Sequence, residues 1–209
     1  GSSFHVVSPW GGMDIELPIL GDFNVGNALA AISVCGVIGV DPENISRSLK
    51  NFKPAPGRLE EVPTGGAFRV FVDYAHTPAA LRCVLATLRR VANGRIITVF
   101  GCGGDRDHDK RALMGSVAAQ GSDISVITSD NPRKEDPMTI IRQIEDGYGP
   151  GDFYEIVEGR EAAIEFALKM ADEDDIVLIA GKGHENYQEF ADTIVPFDDR
   201  ETVCEILER

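Results

Sequence analysis

The sequence predicts an α/β fold built on a mostly parallel sheet with helices on both faces. Three observations carry this. From Arg58 onward, short apolar runs rich in β-branched residues alternate with helical stretches. Capping residues followed by proline, or Asn-Gly pairs, punctuate that alternation. The distinctive polar motifs fall just after the apolar runs, at the carboxyl ends of strands, where ligands bind in such sheets.

Residues 1–56 read differently. Met13 to Leu20 alternates apolar and other residues as a strand does. Asn24 opens an apolar helical stretch, Val25 to Ile38, which Gly39 stops. Asp41-Pro42 starts a second short helix, with proline in the first turn where its missing N–H costs nothing. Lys53-Pro54-Ala55-Pro56-Gly57 reads as a linker. Two helices and a strand or two make a poor core alone, so this segment is expected to be the tail of a larger domain.

In the second region, residues 57–209, Phe68 to Asp73 reads as a buried strand. Thr77-Pro78 caps and starts a helix running to about Ala92. Asn93-Gly94 turns the chain into a strand, Arg95 to Phe100. A glycine-rich loop, Gly101 to Asp105, leads to a helix from Lys110 to Gln120. Asp123 to Ser129 is a strand, and Asp136-Pro137 begins another helix. Phe153 to Val157, a helix from Arg160 to Met170, and Ile176 to Ala180 complete the alternation. Tyr187 to Arg209 suggests a hairpin and a last helix.

The 209 residues suffice for one good-sized domain and part of another. A net charge of −14 argues against nucleic acid and anionic membrane as partners. No apolar run approaches the roughly 18 residues of a membrane span, and no secretory leader is evident. Cys35, Cys83, Cys102 and Cys204 form no C-x-x-C pair, which disfavours a disulfide scaffold or a zinc site. A cytoplasmic, monomeric protein with reduced thiols and no metal site of its own is expected.

Four strand ends carry candidate chemistry: Asp73 to His76, Gly101 to Arg106, Ser129 to Arg133, and Gly181 to Glu185. Gly101-Cys102-Gly103-Gly104 can offer backbone N–H groups to an anion, but a dinucleotide fingerprint would need glycine where the chain has Arg106. Asp105, Asp107 and Asp109 alternate like a calcium loop, yet Lys110 and Ser116 stand at its glycine and glutamate positions. Arg106, Lys110 and Arg111 instead suggest an anion-facing helix start. In Asp130-Asn131-Pro132-Arg133 the proline pins a loop, and Arg133 offers a planar fork suited to a carboxylate; a surface turn is the plain alternative. Asp73-Tyr74-Ala75-His76 puts an acid and a histidine before a helix. Gly181-Lys182-Gly183-His184-Glu185 looks superficially like a phosphate loop, but no Walker A segment occurs in the chain.

Taken in order, Gly21 to Ala31 (G-x-F-N-x-x-N-A-L-A-A), Gly57 to Glu60 (G-R-L-E), Asp73 to Pro78 (D-Y-A-H-T-P), Phe100 to Asp107 (F-G-C-G-G-D-R-D), Ser129 to Arg133 (S-D-N-P-R), Gly181 to Glu185 (G-K-G-H-E) and Phe197 to Glu201 (F-D-D-R-E) resemble the Mur ligase family, in its MurE branch. The match runs over nearly the whole chain. The resemblance implies a three-domain enzyme. Residues 1–56 would be the C-terminal remnant of its central ATPase domain, and residues 57–209 its Rossmann-like, amino-acid-binding C-terminal domain. It implies ATP-dependent addition of meso-2,6-diaminopimelate to UDP-N-acetylmuramoyl-L-alanyl-D-glutamate, through an acyl phosphate, in peptidoglycan synthesis. Asn24, Asn27, Arg58, Asp73 and His76 would serve ATP. Arg106, Asp130, Asn131, Pro132, Arg133, Gly181 and Glu185 would hold diaminopimelate. Arg133 would select it over L-lysine, which has no distal carboxylate. ATP and Mg2+ would be held mainly by parts outside this chain, so no catalytic residue is assigned here and the fragment alone is expected to be inactive. The family's proline after the Lys-Arg pair is replaced by Ala112. Two other readings stand beside this one: another Mur or folylpolyglutamate-type ligase, and a non-catalytic α/β module that binds an amino acid.

Overall fold

In the computed structural model, which describes residues 1–209, the chain divides into two units, Gly1–Ala55 and Pro56–Arg209. In the first unit, β1 (Ser2–Ser8) and β2 (Gly11–Leu17) form an antiparallel hairpin closed at Ser8 and Gly11. Alternation along β2 buries Met13, Ile15 and Leu17. Helix α1 (Asp22–Val37) and helix α2 (Pro42–Lys50) complete the unit. Asp41 caps α2, its Oδ1 accepting from the Glu43 N–H at 2.9 Å. Val6, Met13, Ile15, Leu17, Ala28, Ile32 and Ile45 form the core. Leu29, Val34, Val37 and Ile38 stay exposed along and just beyond α1.

The second unit contains β3 (Glu60–Val62), β4 (Arg69–Asp73), α3 (Pro78–Arg89), β5 (Ile96–Phe100), α4 (Lys110–Gly121), β6 (Ile124–Ile127), α5 (Pro137–Glu145), β7 (Tyr154–Ile156), α6 (Arg160–Met170), β8 (Ile176–Ala180), β9 (Tyr187–Phe190), β10 (Thr193–Pro196) and α7 (Asp199–Leu207). Six strands form one sheet in the order β3-β4-β8-β5-β6-β7. Only β3 runs antiparallel, at the edge beside β4. The α/β expectation holds, with β3 as an additional edge strand.

The order explains the layering. From β4 through β5 and β6 to β7 the chain steps in one direction, and right-handed crossovers put α3, α4 and α5 side by side on one face. The return from β7 to β8 puts α6 on the other face, where α7 joins it. Val70, Val72, Ile97, Val99, Val126, Val177 and Ile179 meet Ala163, Ile164, Ala167 and Leu168 of α6 and Val203 of α7. The alternate residues Phe71, Ile96 and Leu178, also buried, turn to the opposite face. Thr77, Asp136 and Asp198 cap α3, α5 and α7. The carboxyl ends of β4, β8, β5 and β6 thus lie in a row, with β8 inserted between β4 and β5.

Candidate functional site

After β6 the chain is pinned on both sides: Thr128 N donates to Phe100 O at 2.9 Å and Ser129 N to Glu158 O at 3.1 Å. Asp130 and Asn131 follow, both buried. After β8, Gly181 (φ +117°) and Gly183 (φ +53°) adopt backbone angles that favour glycine, and bring Lys182 inward. Lys182 is fully buried. Its Nζ lies 3.1 Å from Asn131 Oδ1, 3.3 Å from Glu185 Oε2 and 3.5 Å from Asp130 Oδ1, and 5.4 Å from the Tyr187 ring centroid. Asn131 Nδ2 donates to Glu185 Oε2 at 2.9 Å. A Cβ at Gly181 would meet Asp130 Oδ2 at 3.3 Å. Asp130, Asn131, Gly181 and Glu185 therefore form one acidic corner, gathered round a buried ammonium that offsets its charge.

Arg133 sits beside this corner with a left-handed backbone (φ +52°). Its NH1 donates to Gly104 O at 2.8 Å and its Nε pairs with Glu189 Oε2 at 2.9 Å. Pro132 carries the turn against the next loop: Gly104 N donates to Asn131 O at 2.9 Å, and a Cβ at Gly104 would overlap the Pro132 carbonyl. Arg106 is exposed, and its NH1 donates to Asp105 O at 3.1 Å; it is not drawn into the corner.

The expected anion-facing start of α4 is corrected here. Arg111 is fully buried, its NH1 and NH2 bonded to Glu135 Oε2 (2.8 Å) and Oε1 (2.9 Å), with Gln143 Oε1 at 2.6 Å and Gly103 O at 3.2 Å. Lys110 Nζ donates to His76 O at 2.8 Å. Both cations are internal braces. Arg111 holds the Glu135 carboxyl at about 2, and the Asp105 N–H adds to the effect. Burial pushes the Cys102 thiol up to about 12, which keeps it protonated at neutral pH.

A second corner forms at the ends of β4 and β8. Asp73 is buried, with Oδ2 accepting from Leu59 N at 2.7 Å and Oδ1 from Ala75 N at 2.8 Å. Burial pushes its carboxyl up, against the pull of those two N–H groups. Asp73 thus clamps the strap 57–59, whose Leu59 is left-handed at φ +45°, rather than pointing outward. The strap presents Arg58, exposed, with its guanidinium carbon 4.7 Å from the Tyr74 ring centroid. His76 meets Tyr74 edge-on with ring centroids 4.6 Å apart, and the His184 ring centroid lies 5.3 Å from that of Tyr74. His76 Nδ1 donates to Tyr74 O at 2.9 Å, which fixes the ring orientation. Burial and the Glu185 charge push the Tyr74 phenol up. Gly57 packs so closely that a Cβ there would overlap the backbone of Gly183 and His184. A Cβ at Gly183 would in turn meet Tyr74 Cβ at 2.7 Å. Asn24 and Asn27 lie in the first unit, on the first turns of α1; Asn24 Nδ2 donates to Leu20 O at 2.7 Å and Asn27 Nδ2 to Asn24 Oδ1 at 3.3 Å.

A family model described as "Mur ligase, glutamate ligase domain" matches residues 57–183, well over half of the chain. The chain belongs to the Mur ligase family. A Mur ligase of Geobacillus thermodenitrificans, named UDP-N-acetylmuramoyl-L-alanyl-D-glutamate–2,6-diaminopimelate ligase, is 47% identical over 201 residues, which are 96% of this chain and 41% of that protein. A solved structure of a ligase with the same name superposes with a TM-score of 0.74 at 41% identity, covering 100% of this chain and 43% of the other. A Mycobacterium tuberculosis folylpolyglutamate synthase complexed with ADP and AMPPCP superposes at 0.71 with 25% identity, covering 87% of this chain and 42% of that one. The chain thus spans about two fifths of the length of these relatives.

Two residues of this Mur ligase domain for which the sequence suggested no role join the first corner. Lys182 lay inside a recognised motif, and asking what neutralises Asp130 and Glu185 would have found it. Glu189 follows the motif in a plain strand, and nothing in its spacing marks it.

Proposed function

We propose that this chain is the amino-acid-binding part of an ATP-dependent ligase that adds meso-2,6-diaminopimelate to UDP-N-acetylmuramoyl-L-alanyl-D-glutamate. The observation that carries the reading is the first corner. Asp130, Asn131 and Glu185 converge there round Lys182, and the neighbouring Arg133 holds its guanidinium on Glu189 and Gly104 O. The distal centre of diaminopimelate bears one carboxylate and one ammonium. Arg133 suits the carboxylate, and Asp130 with Glu185 suits the ammonium. L-Lysine would leave NH2 of Arg133 without an acceptor, and an unmatched polar group in a binding site gives strong discrimination.

In the proposed reaction the γ-phosphoryl group of ATP passes to an oxygen of the D-glutamate side-chain carboxylate, and ADP leaves. The neutral amine of diaminopimelate attacks the acyl carbon, the amide bond forms, and inorganic phosphate and a proton depart. Positioning and charge neutralisation carry such a step. This chain's share is to hold the amino acid and to present cations to the nucleotide. The exposed guanidinium of Arg58, with His76 beyond the shared Tyr74 ring, fits a phosphate-facing edge. Asp73 serves by fixing the strap that carries Arg58. The amide groups of Asn24 and Asn27 suit adenine. The reading assigns Mg2+ mainly to the remainder of the parent enzyme.

Ligand-detected NMR with meso-diaminopimelate and L-lysine tests this. Diaminopimelate alone should bind, and Arg133→Ala should weaken it about 10- to 100-fold, the worth of a charge-assisted hydrogen-bond pair. Lysine binding as well as diaminopimelate would refute the assignment of the substrate.

A further inference from the structure

Strand β9 lies against residues 130–133 and is stitched to them. Gln188 Nε2 donates to Asp130 O at 2.8 Å, Glu189 N to Asn131 Oδ1 at 3.0 Å, and Arg133 N to Glu189 O at 3.0 Å. Arg133 and Phe190 form an isolated parallel bridge. Glu189 is the one residue that grips Arg133 twice, through its backbone carbonyl and through its carboxylate at Nε. With Nε on Glu189 and NH1 on Gly104 O, the guanidinium is fixed at two of its three nitrogens. NH2 is the nitrogen with no protein acceptor.

We propose that Glu189 is a specificity-determining residue of this pocket: it aims the Arg133 fork and sets how much of its charge a ligand carboxylate meets. The proposal rests on the reading of the pocket as the diaminopimelate site. Two opposed effects meet in one side chain. As an anion ion-paired with Nε at 2.9 Å, Glu189 orients the planar group, so that less freedom is lost when a ligand binds. As a second anion beside the same guanidinium, it competes with the ligand's carboxylate and favours a bare ammonium. Separating acceptor from charge separates the two effects. Glu189→Gln keeps an oxygen for Nε and removes the negative charge. Glu189→Ala removes both.

Isothermal titration of the whole chain and both variants with meso-diaminopimelate and L-lysine reads the balance. The Arg133 Nε–H signal in 15N NMR, recorded without ligand, reads the aim. Glu189→Gln should raise the preference for diaminopimelate over lysine about 3- to 10-fold, because the competing charge is gone. Glu189→Ala should lower that preference about tenfold relative to Glu189→Gln and should lose the protected Nε–H signal. An unchanged preference in Glu189→Gln, within about twofold, overturns the proposal, and so does a protected Nε–H that persists in Glu189→Ala. If the wild-type chain binds no diaminopimelate, the substrate reading falls by itself. The Nε–H signal then still decides whether Glu189 holds Arg133.

Discussion

Two fully buried cations flank the end of β8, and they are held in opposite ways. Arg160, at the start of α6, is closed by a single carboxylate: Nε to Asp199 Oδ1 and NH2 to Asp199 Oδ2, both at 2.7 Å, with Ala180 O at 3.2 Å from NH2. Asp199 is as buried as its partner. Lys182, two residues beyond β8, donates to Asn131 Oδ1 at 3.1 Å and Glu185 Oε2 at 3.3 Å and lies 3.5 Å from the Asp130 carboxylate, with no bidentate partner. The planar fork makes a brace that ties α7 to α6 and to the strand end. The point charge makes an adjustable centre for groups that must also meet a ligand. A buried charge can thus serve rigidity or recognition, and a bidentate carboxylate marks the rigid case here.

The largest effect should come from breaking the brace. Asp199→Asn leaves the Arg160 charge unpaired where water does not reach, at a cost of about 3–5 kcal/mol. Urea denaturation should show the lowered midpoint, and Arg160→Met combined with Asp199→Leu should restore most of the loss, since an apolar pair of similar volume replaces the ions.

Lys182→Met should cost less stability, about 1–3 kcal/mol, because the side chains of Asp130 and Glu185 are 10% and 21% exposed and water can reach them. Its effect on recognition should be larger, at least about tenfold on diaminopimelate binding, since Asn131 and Glu185 lose their common anchor. A loss of stability equal to that of Asp199→Asn, with binding intact, would erase the distinction between the two cations.

A pH-dependent effect belongs to Glu135, whose partner Arg111 is buried while its own side chain reaches the surface. Its carboxyl is held at about 2 in the folded chain, against about 4.3 when unfolded. A lowered carboxylate stabilises the fold above the unfolded value, and the contribution fades as pH falls from about 4 toward 2. Glu135→Gln should therefore melt below the wild type at pH 7, with the gap closing as pH falls to about 2 in a melting series.

Most of the second unit was legible from sequence because strand and helix periods, proline starts and Asn-Gly turns agree there. Helix α6 and strand β8 fall at the expected residues. Two strands were not foreseen. β3 is three residues long, begins Glu60-Glu61 and lies at an edge, where polar residues hide the strand signal. β1 leaves Val7 85% exposed, and its pattern is read only once β2 is beside it. The site loops were visible as motifs, but the roles of their charges were not. Arg111, Arg160 and Lys182 are all buried, whereas patterning places Lys and Arg at the surface. What distinguishes them is a carboxylate or amide far along the chain: Glu135 for Arg111, Asp199 for Arg160, Asn131 for Lys182. Such pairings exist only after the sheet has formed.

The glycine contact between the strap and the 181–185 loop has a mechanical consequence. Gly57 and Gly183 meet backbone to backbone, and Gly183 also rests on Tyr74. The Gly57–Gly183 contact itself is backbone on backbone, and packed interiors pass strain on rather than absorb it. The seam behaves as a keyed joint. A displacement of a few tenths of an ångström in the loop that carries Lys182 and Glu185 is handed to the strap that carries Arg58, so the two corners of this unit shift in register.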